Sequence, residues 1–108
     1  MGSMRDLTPI HFECGVTAVP LTESRWSYVD TAVYEKVAPM RWRAKPNSGG
    51  LWYAEAYLRG RGTTSMHRFL LGLERGDPTQ SDHINRDGLD NRMCNLRRCE
   101  PWQQQFNT

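Results

Sequence analysis

Turn-forming residues cut this 108-residue chain into pieces that suit only small strands and helical turns. Thr22-Glu23-Ser24-Arg25, Pro46-Asn47-Ser48-Gly49-Gly50, Gly60-Arg61-Gly62 and Asn85-Arg86-Asp87-Gly88 are rich in the residues that chain reversals select. Between them lie short segments of β-branched and aromatic side chains. Residues 16–21 and 26–29 predict a strand pair, and residues 40–44, 51–58 and 63–66 predict a three-stranded antiparallel meander. Within the meander Trp52, Ala54, Ala56 and Leu58 alternate with Tyr53, Glu55 and Tyr57, the pattern of one buried and one wetter face.

Two short helices are expected among these strands. Asp30 or Thr31 is placed to cap the first, which carries Ala32, Val33 and Val37 and stops near Pro39. Residues 67–73 predict the second, with Phe69, Leu70 and Leu73 toward the sheet. The chain then reads as a strand over 81–85, a loop over 86–90, a helical turn over 91–95 and a strand over 96–99. Glu100-Pro101 opens a closing helix over 101–107, because proline at the first helical position forfeits no hydrogen bond. Trp102 on its first turn is expected in the core. The fold class is therefore α+β, an antiparallel sheet packed with a C-terminal strand-loop-strand-helix. Residues 1–4 read as a cloning remnant ahead of a start at Met4, and residues 5–108 read as one domain with one core.

The formal charge is only +2, but it is unevenly spread. From position 41 to 75 there are seven basic residues, Arg41, Arg43, Lys45, Arg59, Arg61, Arg68 and Arg75, against Glu55 and Glu74. With Trp42, Trp52 and Tyr53 interleaved, that stretch suits a phosphate backbone as well as it suits a solvated sheet face. Cys14, Cys94 and Cys99 contain no Cys-x-x-Cys pair, so no structural zinc is expected. Cys94 and Cys99 read as small core residues, and His11 as exposed. No apolar run is long enough for a membrane span and no signal-peptide pattern is present, which predicts an intracellular chain with reduced thiols.

The chemistry gathers near the C-terminus. Asp82 and His83 stand side by side at the end of a predicted strand, and Asn91, Asn95 and Asn107 follow in a polar run. Hydrolysis of a phosphodiester requires a deprotonated water and neutralisation of the charge that develops on phosphate and leaving oxygen. A neutral imidazole such as His83 can take the proton near physiological pH. Asp82 is a hard oxygen ligand suited to Mg2+, which retains positions for water and substrate phosphate. Consecutive strand residues point to opposite faces, so the two can share a site only where the strand ends, and the turn over 85–90 supplies that end.

The order Asp82-His83, loop, Asn95-Leu96-Arg97, amide-bearing helix resembles the HNH endonuclease family, most nearly its zinc-free members encoded by phages and mobile introns. As in those proteins, a segment ending in His-Arg, here Met66-His67-Arg68, precedes the motif. The likeness spans residues 16–108, and 81–99 carries most of its specificity. It implies a β-rich DNA-contacting part over 16–66, a short helix and loop over 67–80, and a ββα-metal motif over 81–108. It implies in turn an enzyme that nicks or cuts double-stranded DNA with Mg2+, Mn2+ or another divalent cation, inside a bacterial or phage-infected cell. His83 would be the general base, Asp82 a metal ligand, Asn95 the amide that ties the loop and orients the base through backbone contacts, and Asn91 a loop-stabilising amide. Arg41, Arg43, Lys45, Arg59 and Arg61 would hold the duplex, with His67, Arg68, Arg92, Arg97 and Arg98 nearer the site. His67 equally suits a hydrogen-bonded packing residue at the sheet-to-helix junction.

One position departs from the family pattern. The second metal ligand, an Asn or His on the closing helix, falls here on Gln104, whose stem is one methylene longer than that of Asn. Mg2+ tolerates geometric error poorly. Gln104 still coordinates, or Asn107 one helical turn later does so instead, or the residue was substituted to silence cleavage. The alternative function is a catalytically disabled DNA-binding module on the HNH scaffold. A partner-binding domain with no nucleic-acid role is a third reading, and it would show no salt-dependent binding to DNA.

Overall fold

The computed structural model describes residues 8–47, 49–74 and 76–99. It is α+β, with three small antiparallel sheets and two short α-helices among the described residues. The first sheet runs β1 (Ile10–His11), β2 (Val16–Pro20) and β3 (Trp26–Asp30) in that order. The β2–β3 reversal places Glu23 and Ser24 at φ 59° and 55°, so two residues with side chains occupy left-handed backbone in one tight turn. β1, a two-residue exposed strand, continues the sheet from β2 and includes His11, which is exposed as expected.

After β3 the chain makes a 3-10 turn over Thr31–Val33 and then α1 (Tyr34–Val37). Asp30 does not cap this helix, contrary to expectation; its carboxylate accepts from the Met93 backbone N–H at 2.7 Å. The second sheet is β4 (Arg43–Pro46), β5 (Trp52–Leu58) and β6 (Gly62–Ser65), a meander as predicted. Pairing of Ala44 with Ala54 and of Lys45 with Tyr53 sets the faces. Ala44, Ala54, Ala56 and Leu58 are buried, while Arg43, Lys45 and Tyr57 are exposed on the other side. Glu55 breaks the pattern, for it lies on the outer face yet is only 7% exposed.

α2 (Met66–Leu70) follows β6 directly, one residue earlier than its polar start predicts, because Met66 turns wholly into the core. The third sheet pairs β7 (Gln80–His83) with β8 (Leu96–Cys99), placing Asp82 opposite Arg97 and His83 opposite Leu96. A 3-10 turn over Met93–Asn95 leads into β8 and turns Asn95 inward, leaving Cys94 exposed rather than in the core. The closing helix, with Trp102, Gln104 and Asn107, lies outside the described residues, as does the side chain of Cys99.

One apolar cluster joins these parts. Val19, Leu21 and Val29 of the first sheet region, Val37 of α1, Ala54, Ala56 and Leu58 of β5, Met66 and Leu70 of α2, and Leu96 of β8 belong to it. Trp42 seals one side, its indole N–H donating to the Val37 carbonyl at 2.9 Å. Leu96 is thus the residue that roots the third sheet in the core. No helix among the described residues is long and apolar enough to cross a membrane.

Candidate functional site

The loop from 84 to 92 connects β7 to β8, and four sets of contacts fix it. Asn85 and Asp87 each accept a backbone N–H two residues on, at 2.8 and 3.0 Å, forming successive Asx turns. Asn95 accepts from the Asn85 N–H at 3.0 Å and donates to the Asn85 side-chain oxygen and the Asp90 carbonyl at 2.9 and 2.8 Å, spanning the loop from within. On the outside, Tyr28 N–H donates to Leu89 O and Asn91 N–H to Tyr28 O, at 2.9 and 2.7 Å, a parallel bridge onto β3. Gly88 lies so close to β5 that a Cβ there would collide with the Trp52 carbonyl, which is the physical reason for glycine at this point.

Asp90 is part of the same brace. Arg92 grips it through Nε and Nη2, both at 2.7 Å, and Asn85 Nδ2 donates to it at 2.9 Å. The Arg92 hydrogen bonds hold the Asp90 carboxyl below its ordinary range, outweighing the opposing effect of burial.

His83 is the last residue of β7, and with Asp82 it lines one cleft of about 640 Å3, so the strand terminus does bring consecutive side chains to a shared space. The cleft also takes in Tyr53, Glu55, Ser65, His67 and Arg86. His83 Nε2 lies 2.8 Å from Asn91 Oδ1. The Asn91 amide nitrogen is engaged elsewhere, donating to Ser27 Oγ at 2.9 Å and Met66 Sδ at 3.3 Å. Its oxygen, which can only accept, is what faces the ring, so the proton of the neutral imidazole resides on Nε2 and the basic lone pair on Nδ1. Asn91 is 0% exposed, and the Ser27 hydroxyl that supports it donates to the Leu89 carbonyl at 2.9 Å. Asn91 fastens the loop as expected, through its N–H on Tyr28 O and its amide on Ser27, and its side chain also reaches the imidazole, while Asn95 spans the loop. The signal for this was absent locally, since Ser27 and Met66 are distant in sequence.

His67, on α2, packs against His83 edge to face, ring centroids 4.7 Å apart. Burial, then the neighbouring His83 and Arg68, pushes its pKa down to about 4, so it is a neutral ring at physiological pH. Its Nδ1 is buried with no hydrogen-bond partner among the described residues, so the ring is not a fully satisfied packing residue, and it lines the cleft beside His83. Asp82 pairs across the hairpin with Arg97 at 2.6 Å, both side chains about half exposed. Glu55 is paired with Arg43 at 3.4 Å and accepts from the Tyr53 hydroxyl at 3.5 Å. Burial first, and the Glu55 carboxylate second, raise the Tyr53 pKa and keep it a donor.

Several of the basic residues expected near DNA also make hydrogen bonds within the fold. Arg68 donates to the carbonyls of Thr79 and Asp77 at 2.8 and 3.1 Å, Arg61 to Leu73 O at 3.3 Å, and Arg98 to Leu71 O. Arg92 is occupied by Asp90 as described. Arg41, Lys45 and Arg59 are exposed. Arg43 and Lys45, with Tyr53 and the 72% exposed Tyr57, share the outer face of the second sheet, which runs from the cleft outward.

Among the described residues no three His, Cys, Asp or Glu side chains stand close enough to hold a metal ion. Asp82 supplies one hard carboxylate at the cleft, a donor set that fits an ion shared with substrate phosphate and water rather than an all-protein cage. Comparison of the chain with family models, curated proteins and solved structures found no match.

Proposed function

We propose that this protein is a divalent-metal-dependent HNH endonuclease acting on double-stranded DNA. The observation that carries the reading is the oriented imidazole: His83 ends β7 beside Asp82, and buried Asn91 holds its Nε2 at 2.8 Å. That arrangement leaves Nδ1 to accept a proton from water as the water oxygen attacks phosphorus. The P–O3′ bond then breaks and the departing oxygen takes a proton from solvent, leaving, by analogy with the family, a 5′-phosphate and a 3′-hydroxyl. A divalent ion held by Asp82 would neutralise the charge gathering on the phosphate and the leaving oxygen. Gln104 or Asn107 remains the choice for a second oxygen donor. The outer sheet face with Arg43, Lys45, Tyr53 and Tyr57 gives the duplex a basic, aromatic surface leading into the cleft.

Supercoiled plasmid incubated with Mg2+, Mn2+ or EDTA tests the reading. Nicking should require a divalent ion and vanish in His83→Ala, with the variant's circular dichroism unchanged. A His83→Ala protein that nicks as fast as the parent would refute the mechanism. The departure at Gln104 favours the disabled-module reading as the alternative; it predicts salt-dependent duplex binding without nicking, and nicking gained in Gln104→Asn.

A further inference from the structure

The loop tip carries an unexplained conformation. Arg86 has φ 65°, left-handed backbone that residues with a side chain seldom adopt and that glycine adopts freely. Its side chain makes no hydrogen bond or ion pair with any other described residue, and its backbone N–H donates to His83 O at 3.0 Å. It is exposed and lines the cleft with Asp82 and His83. Arg86 is also the single Lys or Arg among the described residues that line that cleft. The other charges there are carboxylates: Asp82, paired with Arg97, and Glu55, paired with Arg43. The neighbouring His67 ring is neutral. An anionic phosphodiester that enters this cleft therefore meets two acidic groups and one uncommitted guanidinium. Backbone strain retained at an unpartnered charged residue beside a reactive ring is the pattern of a functional position.

We infer that Arg86 is the phosphate-binding residue of the cleft, contacting a non-bridging oxygen of the scissile phosphodiester. The inference rests on the nuclease reading given above. A guanidinium matches two phosphate oxygens with a planar fork and stays charged throughout the reaction, which suits a group that accumulates negative charge. Its place directly after Ile84 and Asn85 ties its position to the strand end that carries the base.

Arg86→Gly separates this role from a structural one, because glycine relieves the left-handed backbone while removing the charge. The variant should melt at or above the parent's temperature and lose about 100-fold in kcat/KM for plasmid nicking. Arg86→Lys, which keeps charge without the fork, should fall between. Duplex affinity in the His83→Ala background, measured across salt concentrations, gives a readout independent of cutting: adding Arg86→Gly should reduce the slope of log K against log salt by about 1. Arg86→Gly with nicking within threefold of the parent, an unchanged salt slope, or a melting temperature that falls along with activity would each overturn the inference. A parent that neither nicks nor binds DNA would instead remove the nuclease reading on which it stands.

Discussion

Truncating Asn91 to alanine tests whether the imidazole is held from behind. In the native site the amide links His83 Nε2, Ser27 Oγ and Met66 Sδ at 2.8, 2.9 and 3.3 Å, and the residue is 0% exposed. The two stronger hydrogen bonds contribute about 1 kcal/mol each, the thioether contact less. The vacated volume adds a modest cavity cost. The sum is about 2–3 kcal/mol, which for a domain of this length lowers the melting temperature by about 8–12 °C. The kinetic effect should be larger than that loss explains. Without the Oδ1 acceptor the ring no longer has a fixed tautomer, and nicking measured well below the melting transition should fall about 100-fold. Calorimetry and single-turnover plasmid cleavage on the same preparation measure both quantities. A variant that melts within about 2 °C of the parent would refute the energetic argument. A variant that melts lower yet cuts at the parent rate would show that Asn91 only packs.

Gly88→Ala should lower stability by about 1–3 kcal/mol, read from a urea midpoint, since the new methyl must push the loop off the Trp52 carbonyl. Plasmid nicking should fall with it, because the displaced loop carries Asn91 away from the ring; an unchanged midpoint would mean that the contact is slack. The third expectation concerns acid. His67 is neutral in the fold with its pKa pushed down to about 4, against 6.5 for an unperturbed ring. Between those values the unfolded chain binds a proton that the folded chain refuses, so this contribution to stability is complete above about pH 6.5 and is lost as pH falls toward 4. The difference amounts to roughly 3 kcal/mol. His67→Phe should flatten that limb of the stability profile measured by denaturant titration, and a limb identical to the parent's would place the acid sensitivity elsewhere.

Much of the fold was legible because its signals are local. The meander shows in the alternation along 52–58 and in the glycines that bracket it, and Asp82-His83 shows its place because a turn sequence follows at once. Signals failed where a side chain answers to a distant partner. Met40-Arg41-Trp42 reads as the start of β4, but Trp42 turns into the core and bonds Val37 O, so the strand begins at Arg43. Asp30 has the composition of a helix cap, yet Met93 claims its carboxylate. Glu55 sits where a wet face is predicted and is buried by Arg43 and Tyr53 around it. Charge counting identified the basic stretch but not which guanidinium is used internally, since Arg68 and Arg61 differ from the exposed Arg59 only in what lies within their reach. Asn91 was visible as an amide in a loop; its contact with the ring depends on Ser27, 64 residues earlier in the chain.

That separation has a consequence for when the protein becomes reactive. The strand carrying Ser27 and Tyr28 emerges early in synthesis, and the loop it fastens emerges late. Closing so long a loop carries an entropic cost that is met when the first and third sheets pack together, so the ring's fixed proton depends on contacts that span most of the chain. Partly folded chains, and proteolytic fragments that keep the β7–β8 hairpin alone, would hold every side chain of the hydrolytic pair and still lack an aligned base. On the proposed reading, reactivity in this architecture would be a property of the completed fold, and the chain would be inert while it is being made.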